Sequence, residues 1–522
     1  MTYDYIVVGA GSAGCAVAAR LAEDPGARVL VLEAGGADEG QDIHVPALLG
    51  NLFRTDFDWD YETTPQTHCD GRQDYVPRGK MLGGTSSMNA MIYQRGAPAN
   101  YDAWAAAGNE TWGWAGVLPF FLKAENQERG GSRYHGTGGP LNVADLRDPN
   151  PLSLAFVGAA AEQGYLLNED FNDGEQEGFG LYQVTQIGGK RCSTAVAYLH
   201  PAMKRDNLTV ETSAHAQRLV IDGRRCTGVV YKQNGTEKAA DAAREVIVSS
   251  GAIGSPQLLM LSGIGPKDQL EKLGIAVVLD LPGVGENLQE HLQAPVAYSC
   301  TQPITLAAAE EPDQYEKLKS EGMGMLTSNI GEAGGFLTVK SDAPAPDLQF
   351  HFTPCYFISH GDGNPEGHGF TVMPGMVGTR SVGRLTLRSA DPTDKPLIDP
   401  NYFADEADLE VLVEGVKIAR KLLNSTVFDA YRGDEVVPGA AVRSDDEIKA
   451  YLREKVQCIY HPVGTCKMGN DPMAVVDDTL RVIGIAGLRV ADASIMPTIV
   501  NANTNAPAIM IGEKCADMIS GT

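Results

Sequence analysis

The residues best suited to chemistry lie near the C-terminus. The stretch CIYHPVGTCKMG, Cys458 to Gly469, sets His461 between a tyrosine and a proline, with a cysteine on either side. An imidazole in that setting fits three roles: a metal ligand, a proton acceptor, or a histidine held in a core. Cys458 and Cys466 flank His461 at offsets of three and five, but no second cluster supplies a closed tetrahedral set. No Cys-x-x-Cys pair occurs in the chain, so no metal site is expected.

A second constellation opens the chain. The apolar run YDYIVV reads as a strand buried on both faces of a parallel sheet. GAGSAG follows at once, placing Gly9, Gly11 and Gly14 in G-x-G-x-x-G spacing around Ser12 and Ala13. CAVAARLAED then reads as a helix and ARVLVLE as a second strand, ending at Glu33 with Ala34 after it, 19 residues beyond Gly14. Glycines there let backbone N–H groups approach a pyrophosphate at the helix N-terminus, and the carboxylate accepts from ribose hydroxyls. A dinucleotide site is the expectation.

Other elements must hold these groups. Pro77 to Gly96, PRGKMLGGTSSMNAMIYQRG, pairs adjacent glycines with hydroxyl residues, as in a loop wrapped closely around a polar ligand. A strand from Glu245 to Ser249, a glycine turn and a helix starting near Ser255 and Pro256 mark a return to the nucleotide-binding sheet. Between about 300 and 456 the texture changes. GGFLTV, DLQFHFTP and GRLTLRS read as antiparallel strands, and EADLEVLVEGVKIARKLLNST as an amphipathic helix. Finally, Leu488 to Ala491 form a short strand ending at Asp492, and the turn Asn501 to Asn505 leads into a helix with Pro507 near its start. That helix points its N–H groups toward whatever sits above the sheet. The expected division is a discontinuous nucleotide-binding domain, 1–155, 200–300 and 457–522, and a substrate-binding domain, 156–199 and 301–456.

Composition sets outer limits. The 522 residues suffice for two domains with cores of their own. A net charge of −25, without a dense basic block, argues against nucleic acid or an anionic membrane surface as partner. The apolar N-terminal run is broken by glycines and lacks a basic lead-in, so neither a signal peptide nor a spanning helix is expected. The nine cysteines are scattered, which fits a reducing, cytoplasmic setting.

Taken together, GAGSAG…LEAG, GKMLGGTSSMNAMIYQRG, GAIGSPQLLMLSGIG and HPVGTCKMG…VADASIMP…NTNAP resemble the glucose-methanol-choline (GMC) flavoprotein oxidoreductases over nearly the whole chain. The nearest likeness is to bacterial choline- and alcohol-dehydrogenase-like members. The resemblance implies an α/β FAD-binding Rossmann-type domain plus an α+β substrate domain with an antiparallel sheet. It implies FAD, with Gly9, Gly11, Gly14 and Glu33 at the ADP half and Gly84 and Asn89 near pyrophosphate and flavin. Asp492 and Ala493 would lie near the ribityl chain and pyrophosphate, and the helix after Asn503 and Thr504 would face the flavin. Some members tether FAD through a histidine where this chain has Met88, so FAD is expected to dissociate. Many relatives carry two catalytic histidines; here Asn503 takes the place of the second.

By that resemblance His461 accepts the hydroxyl proton of a primary alcohol, Asn503 donates a hydrogen bond to the same oxygen, and a hydride passes to flavin N5. Tyr460 is expected to border the substrate through its ring, and Met91 to line the same pocket. His351 is a candidate for the cavity wall, though a strand histidine with a satisfied hydrogen bond is the plainer reading. Glu332 is a candidate for a cationic substrate, and His291 reads as structural. The electron acceptor is O2, a quinone or another carrier. A cyanohydrin lyase with redox-silent FAD is the alternative, since it needs the same base.

Overall fold

The computed structural model describes residues 2–340 and 343–521. The apolar N-terminal run forms strand Thr2–Val8, with Ile6 and Val7 wholly buried at the centre of a seven-stranded sheet. Val29–Leu32 pairs with it in parallel, and Leu208–Glu211 extends the sheet beyond Val29–Leu32. On the other side lies the 13-residue strand Thr236–Val248, longer than the segment expected from sequence. Its first half joins the antiparallel strands Arg225–Gln233 and Ala214–Asp222, while Val246–Val248 pairs in parallel with Leu488–Val490. Three distant stretches of chain therefore build one sheet.

Helix Ser12–Leu21 covers this sheet and packs against the C-terminal helix Asn505–Ser520. The approach is close: a Cβ on Gly512 would come within 2.5 Å of the Ala13 carbonyl oxygen. Glu513, fully buried, accepts from Arg20 at 2.8 Å and from the Tyr198 hydroxyl at 2.8 Å. A carboxylate so deep needs such partners, because leaving it unpaired costs several kcal/mol. The two helix N-termini meet where Ser12 Oγ donates to Asn505 Oδ1 at 2.7 Å.

The third nucleotide-side helix spans Gly251–Leu261 and begins earlier than Ser255, leaving Pro256 inside it. Proline has no N–H to give the carbonyl four residues back. The Thr465 hydroxyl supplies that bond, donating to the Ala252 carbonyl at 2.6 Å. A tertiary partner thus permits the helix turn that local sequence disfavours.

An eight-stranded antiparallel sheet forms the other layer. In spatial order its main strands are Arg432–Val437, Val296–Cys300, Gly369–Met376, Leu348–Thr353, Ala333–Leu337 and Gly178–Leu181. Leu292–Gln293 and Gln457–Cys458 pair at its end. Residues 292–293, 296–300 and 457–458, placed by sequence with the nucleotide-binding unit, pair in this eight-stranded sheet and not in the seven-stranded one. Arg384–Thr386 stands apart, in a hairpin with Leu397–Asp399. Helix Glu406–Leu423, capped by the Asp405 carboxylate accepting from Ala407 N–H, packs on the sheet. Its buried stripe runs Leu409, Leu412, Val416, Ala419 and Leu423, at the three-and-four spacing of one helix face.

Candidate active site

One cavity runs between the layers. Gly9, Gly11, Ser12, Ala13, Glu33, Ala34, Gly84, Asn89, Asp492, Ala493, Asn503 and Thr504 line it, as do Met91, His351, Tyr460 and His461. Gly14 is not on that wall: a Cβ there would meet the Gly9 carbonyl oxygen at 2.0 Å, so it serves close packing of helix and turn. Gly9 needs its positive φ of 101°, with Ser249 O only 2.5 Å from where a Cβ would be. Gly11 faces open space, with nothing within 4 Å. Glu33 is anchored by Ala10 N–H at 2.9 Å and Gly35 N–H at 2.8 Å, and burial lifts its pKa to about 6. Asp492 accepts from Gly251 N–H, Ser255 Oγ and Ser494 N–H, joining the last strand to helix Gly251–Leu261.

At the far end His461 is held on three sides. Its Nε2 lies 3.2 Å from Asn503 Nδ2, and its Nδ1 lies 3.1 Å from His291 Nδ1. Its backbone N–H donates to Glu290 Oε1 at 2.6 Å, and the same oxygen accepts from His291 N–H at 3.0 Å. Burial, reinforced by His291, His351 and Arg78 nearby, keeps the His461 imidazole well below its ordinary pKa and hence neutral. Burial pushes Glu290 up to about 8, with Arg78 opposing. Asn503 Oδ1 accepts from Gln349 Nε2 at 2.9 Å, which turns its amide N–H groups toward His461. Sequence reasoning missed Gln349 and Glu290 and assigned His291 to structure alone; nothing local in the sequence places them beside His461.

Tyr460 carries a second chain. Its hydroxyl bonds His360 Nδ1 at 2.9 Å, and His360 Nε2 bonds Asp74 Oδ1 at 3.1 Å. The other Asp74 oxygen accepts from Cys458 N–H at 2.8 Å and the Tyr402 hydroxyl at 3.1 Å. Asp74, His360 and Cys458 bring ligand atoms within 4.8 Å of one another. Each is already engaged, since the Cys458 thiol donates to the Tyr75 carbonyl and burial holds it protonated. Tyr460 and His360 both adopt positive φ, 70° and 60°, which side chains bear only where surrounding bonds compel it. With its hydroxyl committed, Tyr460 presents its ring to the cavity.

The remaining candidates separate. Met91, also at positive φ, lines the cavity near Leu49 and Ile330. His351 lines it too, but without the satisfying hydrogen bond expected of it: its Nδ1 is buried with no partner among the described residues. Glu332 is off the cavity wall. Its oxygens are taken by Asn150 N–H at 2.8 Å, Ser153 Oγ at 2.7 Å and Ser328 Oγ at 2.5 Å. Ordering a serine-rich turn occupies that carboxylate.

Models of the GMC oxidoreductase family match this chain over residues 3–293 and 379–512. The chain belongs to the GMC oxidoreductases. It is 47% identical to human mitochondrial choline dehydrogenase, over 99% of this chain and 90% of that one. It is equally 47% identical to alcohol dehydrogenase (acceptor) of Pseudomonas putida, over 99% and 95%. Among solved structures it resembles pyridoxine 4-oxidase from Mesorbium loti, with a TM-score of 0.92 at 31% identity, covering 100% and 99% of the two chains. These are oxidoreductases rather than lyases.

This GMC protein is accordingly an FAD-dependent alcohol oxidoreductase, and its residues fit that cofactor. The Gly11 wall is open, and helices Ser12–Leu21 and Asn505–Ser520 have no side-chain cap on their first N–H groups. Those groups, with Glu33, would hold the diphosphate and ribose of FAD. Met88, buried at the cavity wall, offers a thioether and no nucleophilic nitrogen, consistent with FAD held without a covalent bond. No helix among the described residues is long and apolar enough to cross a membrane.

Proposed function

We propose that this enzyme oxidises primary alcohols with apolar chains to aldehydes, with His461 as the proton acceptor. The observation that carries the reading is the 3.2 Å approach of Asn503 Nδ2 to His461 Nε2 on the wall of the FAD cavity. FAD, once bound, supplies the hydride acceptor. An alcohol oxygen entering between the two side chains accepts the Asn503 N–H and gives its own proton to His461 Nε2. A neutral imidazole is the form able to take it. As the proton leaves, the Asn503 amide steadies the charge developing on oxygen, and the carbonyl would form as the C–H bond breaks and its hydride passes to the acceptor that FAD supplies.

An apolar substrate is supported by Leu49, Phe53, Met91, Ile330 and Phe357, which line the same cavity as this pair. The carboxylates on the cavity wall among the described residues are Glu33 and Asp492, both engaged by backbone and serine donors. A quaternary ammonium such as choline meets no free carboxylate there. The nine cysteines are free thiols, which supports work in a reducing compartment such as the cytoplasm. The electron acceptor is read separately, by reoxidation of the reduced flavin: O2 yields peroxide, and a dye stands in for a quinone-type carrier.

The test is anaerobic bleaching of the bound flavin by hexanol, benzyl alcohol and choline. His461→Ala should retain FAD and reduce it about 10²- to 10⁴-fold more slowly. Near-normal reduction would remove His461 from the role, and preferential bleaching by choline would overturn the substrate class.

A further inference from the structure

We propose that Gln349, Tyr182 and His291 are positioning residues that fix the tautomer of His461, leaving its Nε2 unprotonated toward the cavity. The proposal rests on the reading of His461 as the proton acceptor and explains why one nitrogen is ready for the task.

Two neutral imidazoles facing each other through Nδ1 atoms 3.1 Å apart share one proton. Either His461 donates and His291 accepts, or the reverse. In the first case His461 Nε2 is a lone pair able to take the alcohol proton. In the second it carries a hydrogen and is useless as a base. Neither histidine decides this alone, since both rings are buried and meet edge to face at 89°.

The decision comes from the substrate-side sheet. The Tyr182 hydroxyl donates to the Phe350 carbonyl at 2.6 Å, which spends its only hydrogen. Its oxygen can then only accept, and Gln349 Nε2 faces it at 3.4 Å. Turning the Gln349 amide over would set its carbonyl against that oxygen lone pair, so the NH2 stays on this side. The same NH2 donates to Asn503 Oδ1 at 2.9 Å. Asn503 must therefore present its own NH2 to His461 Nε2, which can bond it only through a lone pair. The His461 hydrogen then sits on Nδ1 and is donated to His291 Nδ1. Each step passes the same direction onward from the Phe350 carbonyl, whose 2.6 Å bond to the Tyr182 hydroxyl is much shorter than the 3.4 Å approach of Gln349.

Turnover keeps the proton on Nδ1 where the arrangement puts it. One contact is exchanged in this step: the Asn503 N–H passes from Nε2 to the alcohol oxygen, the alcohol proton adds to the freed Nε2 lone pair, the Nδ1–H bond to His291 stays, and no proton is created or lost along the chain. His291 accepts throughout, and its own hydrogen lies on Nε2, a buried atom with no hydrogen-bond partner among the described residues.

Two measurements test the proposal, both on FAD-loaded protein. In wild-type enzyme with ¹⁵N-labelled histidine, His461 Nε2 should give a pyridine-type resonance and Nδ1 a pyrrole-type one. The opposite assignment overturns the proposal while leaving the His461→Ala result intact. The second compares Gln349→Leu with Gln349→Glu above the carboxyl titration. The leucine removes the anchor, whereas a carboxylate accepts only and so turns the Asn503 amide over. The Gln349→Glu enzyme should show a pyrrole-type Nε2, a limiting flavin-reduction rate lower by about 10²-fold or more, and KM within a few-fold. Gln349→Leu should lose less. Equal losses in the two variants, or an unchanged His461 signature in Gln349→Glu, would mean that Gln349 only supports packing.

Discussion

Asn503 Nδ2 lies 3.2 Å from His461 Nε2, although the residues stand 42 positions apart in the chain. In the proposed reaction, an amide donor beside the proton acceptor lets one alcohol oxygen be held and deprotonated together. Removing the donor without the base separates the two effects. Asn503→Leu should keep its FAD and slow flavin reduction by about 10²- to 10³-fold, as loss of one preorganised donor typically does. Stopped-flow reduction by a saturating alcohol measures it, and a rate within a few-fold of wild type would place the alcohol oxygen elsewhere.

The nucleotide turn gives a contrast between two glycines. Gly14→Ala drives a methyl to 2.0 Å from the Gly9 carbonyl oxygen and should destabilise the fold itself. Gly11→Ala meets nothing within 4 Å of the protein, so the apoprotein should fold normally. Its methyl intrudes where the cofactor approaches, and FAD affinity should fall. Thermal melts of both apoproteins, followed by FAD titration, distinguish a packing glycine from a ligand-facing one.

His351 makes stability depend on pH. Burial alone lowers its pKa from 6.5 to about 4. The folded state therefore binds this proton less readily than the unfolded chain does. The stability it protects is complete above about pH 6.5 and is lost progressively as pH falls toward 4, by about 3 kcal/mol in all. His351→Gln should show a shallower fall in melting temperature between pH 7 and 5. Parallel curves for the two proteins would argue that the imidazole is not held neutral.

Tyr460 lines the cavity with its hydroxyl engaged by His360. Tyr460→Phe leaves His360 Nδ1 unpaired in a buried setting, a loss of about 1–3 kcal/mol. The melting midpoint should fall while the limiting rate of flavin reduction changes little. A large rate loss at unchanged stability would instead assign the hydroxyl a direct part in the chemistry.

Denaturation reads the cofactor linkage. With Met88 where a tether would need a nucleophilic nitrogen, acid or guanidinium should release all the yellow chromophore into the filtrate. Colour remaining on the polypeptide would locate a covalent bond elsewhere.

Much of this was legible in local sequence because it depends on local backbone demands. The spacing of Gly9, Gly11, Gly14 and Glu33 marks the nucleotide turn, and the apolar stripe from Leu409 to Leu423 marks a helix lying on a sheet. Family motifs added His461 and Asn503. Boundaries were less legible. Pro256 argued for a later helix start, and only the Thr465 hydroxyl, over two hundred positions away, makes the earlier one affordable.

What the sequence by itself offered is the chemistry to be tested: a dinucleotide cradle, a histidine that the family resemblance makes the proposed proton acceptor, and an amide where many relatives carry a second histidine. The tertiary structure decided how those groups are used. It removed Glu332 from the pocket by satisfying its carboxylate with Ser153, Ser328 and Asn150, and it set His291 against His461. Hydrogen-bond direction passes through contacts among residues 182, 349, 503, 461 and 291, in an order the chain does not follow. Proton placement follows from which donor faces which lone pair, and that is fixed only when distant strands pack.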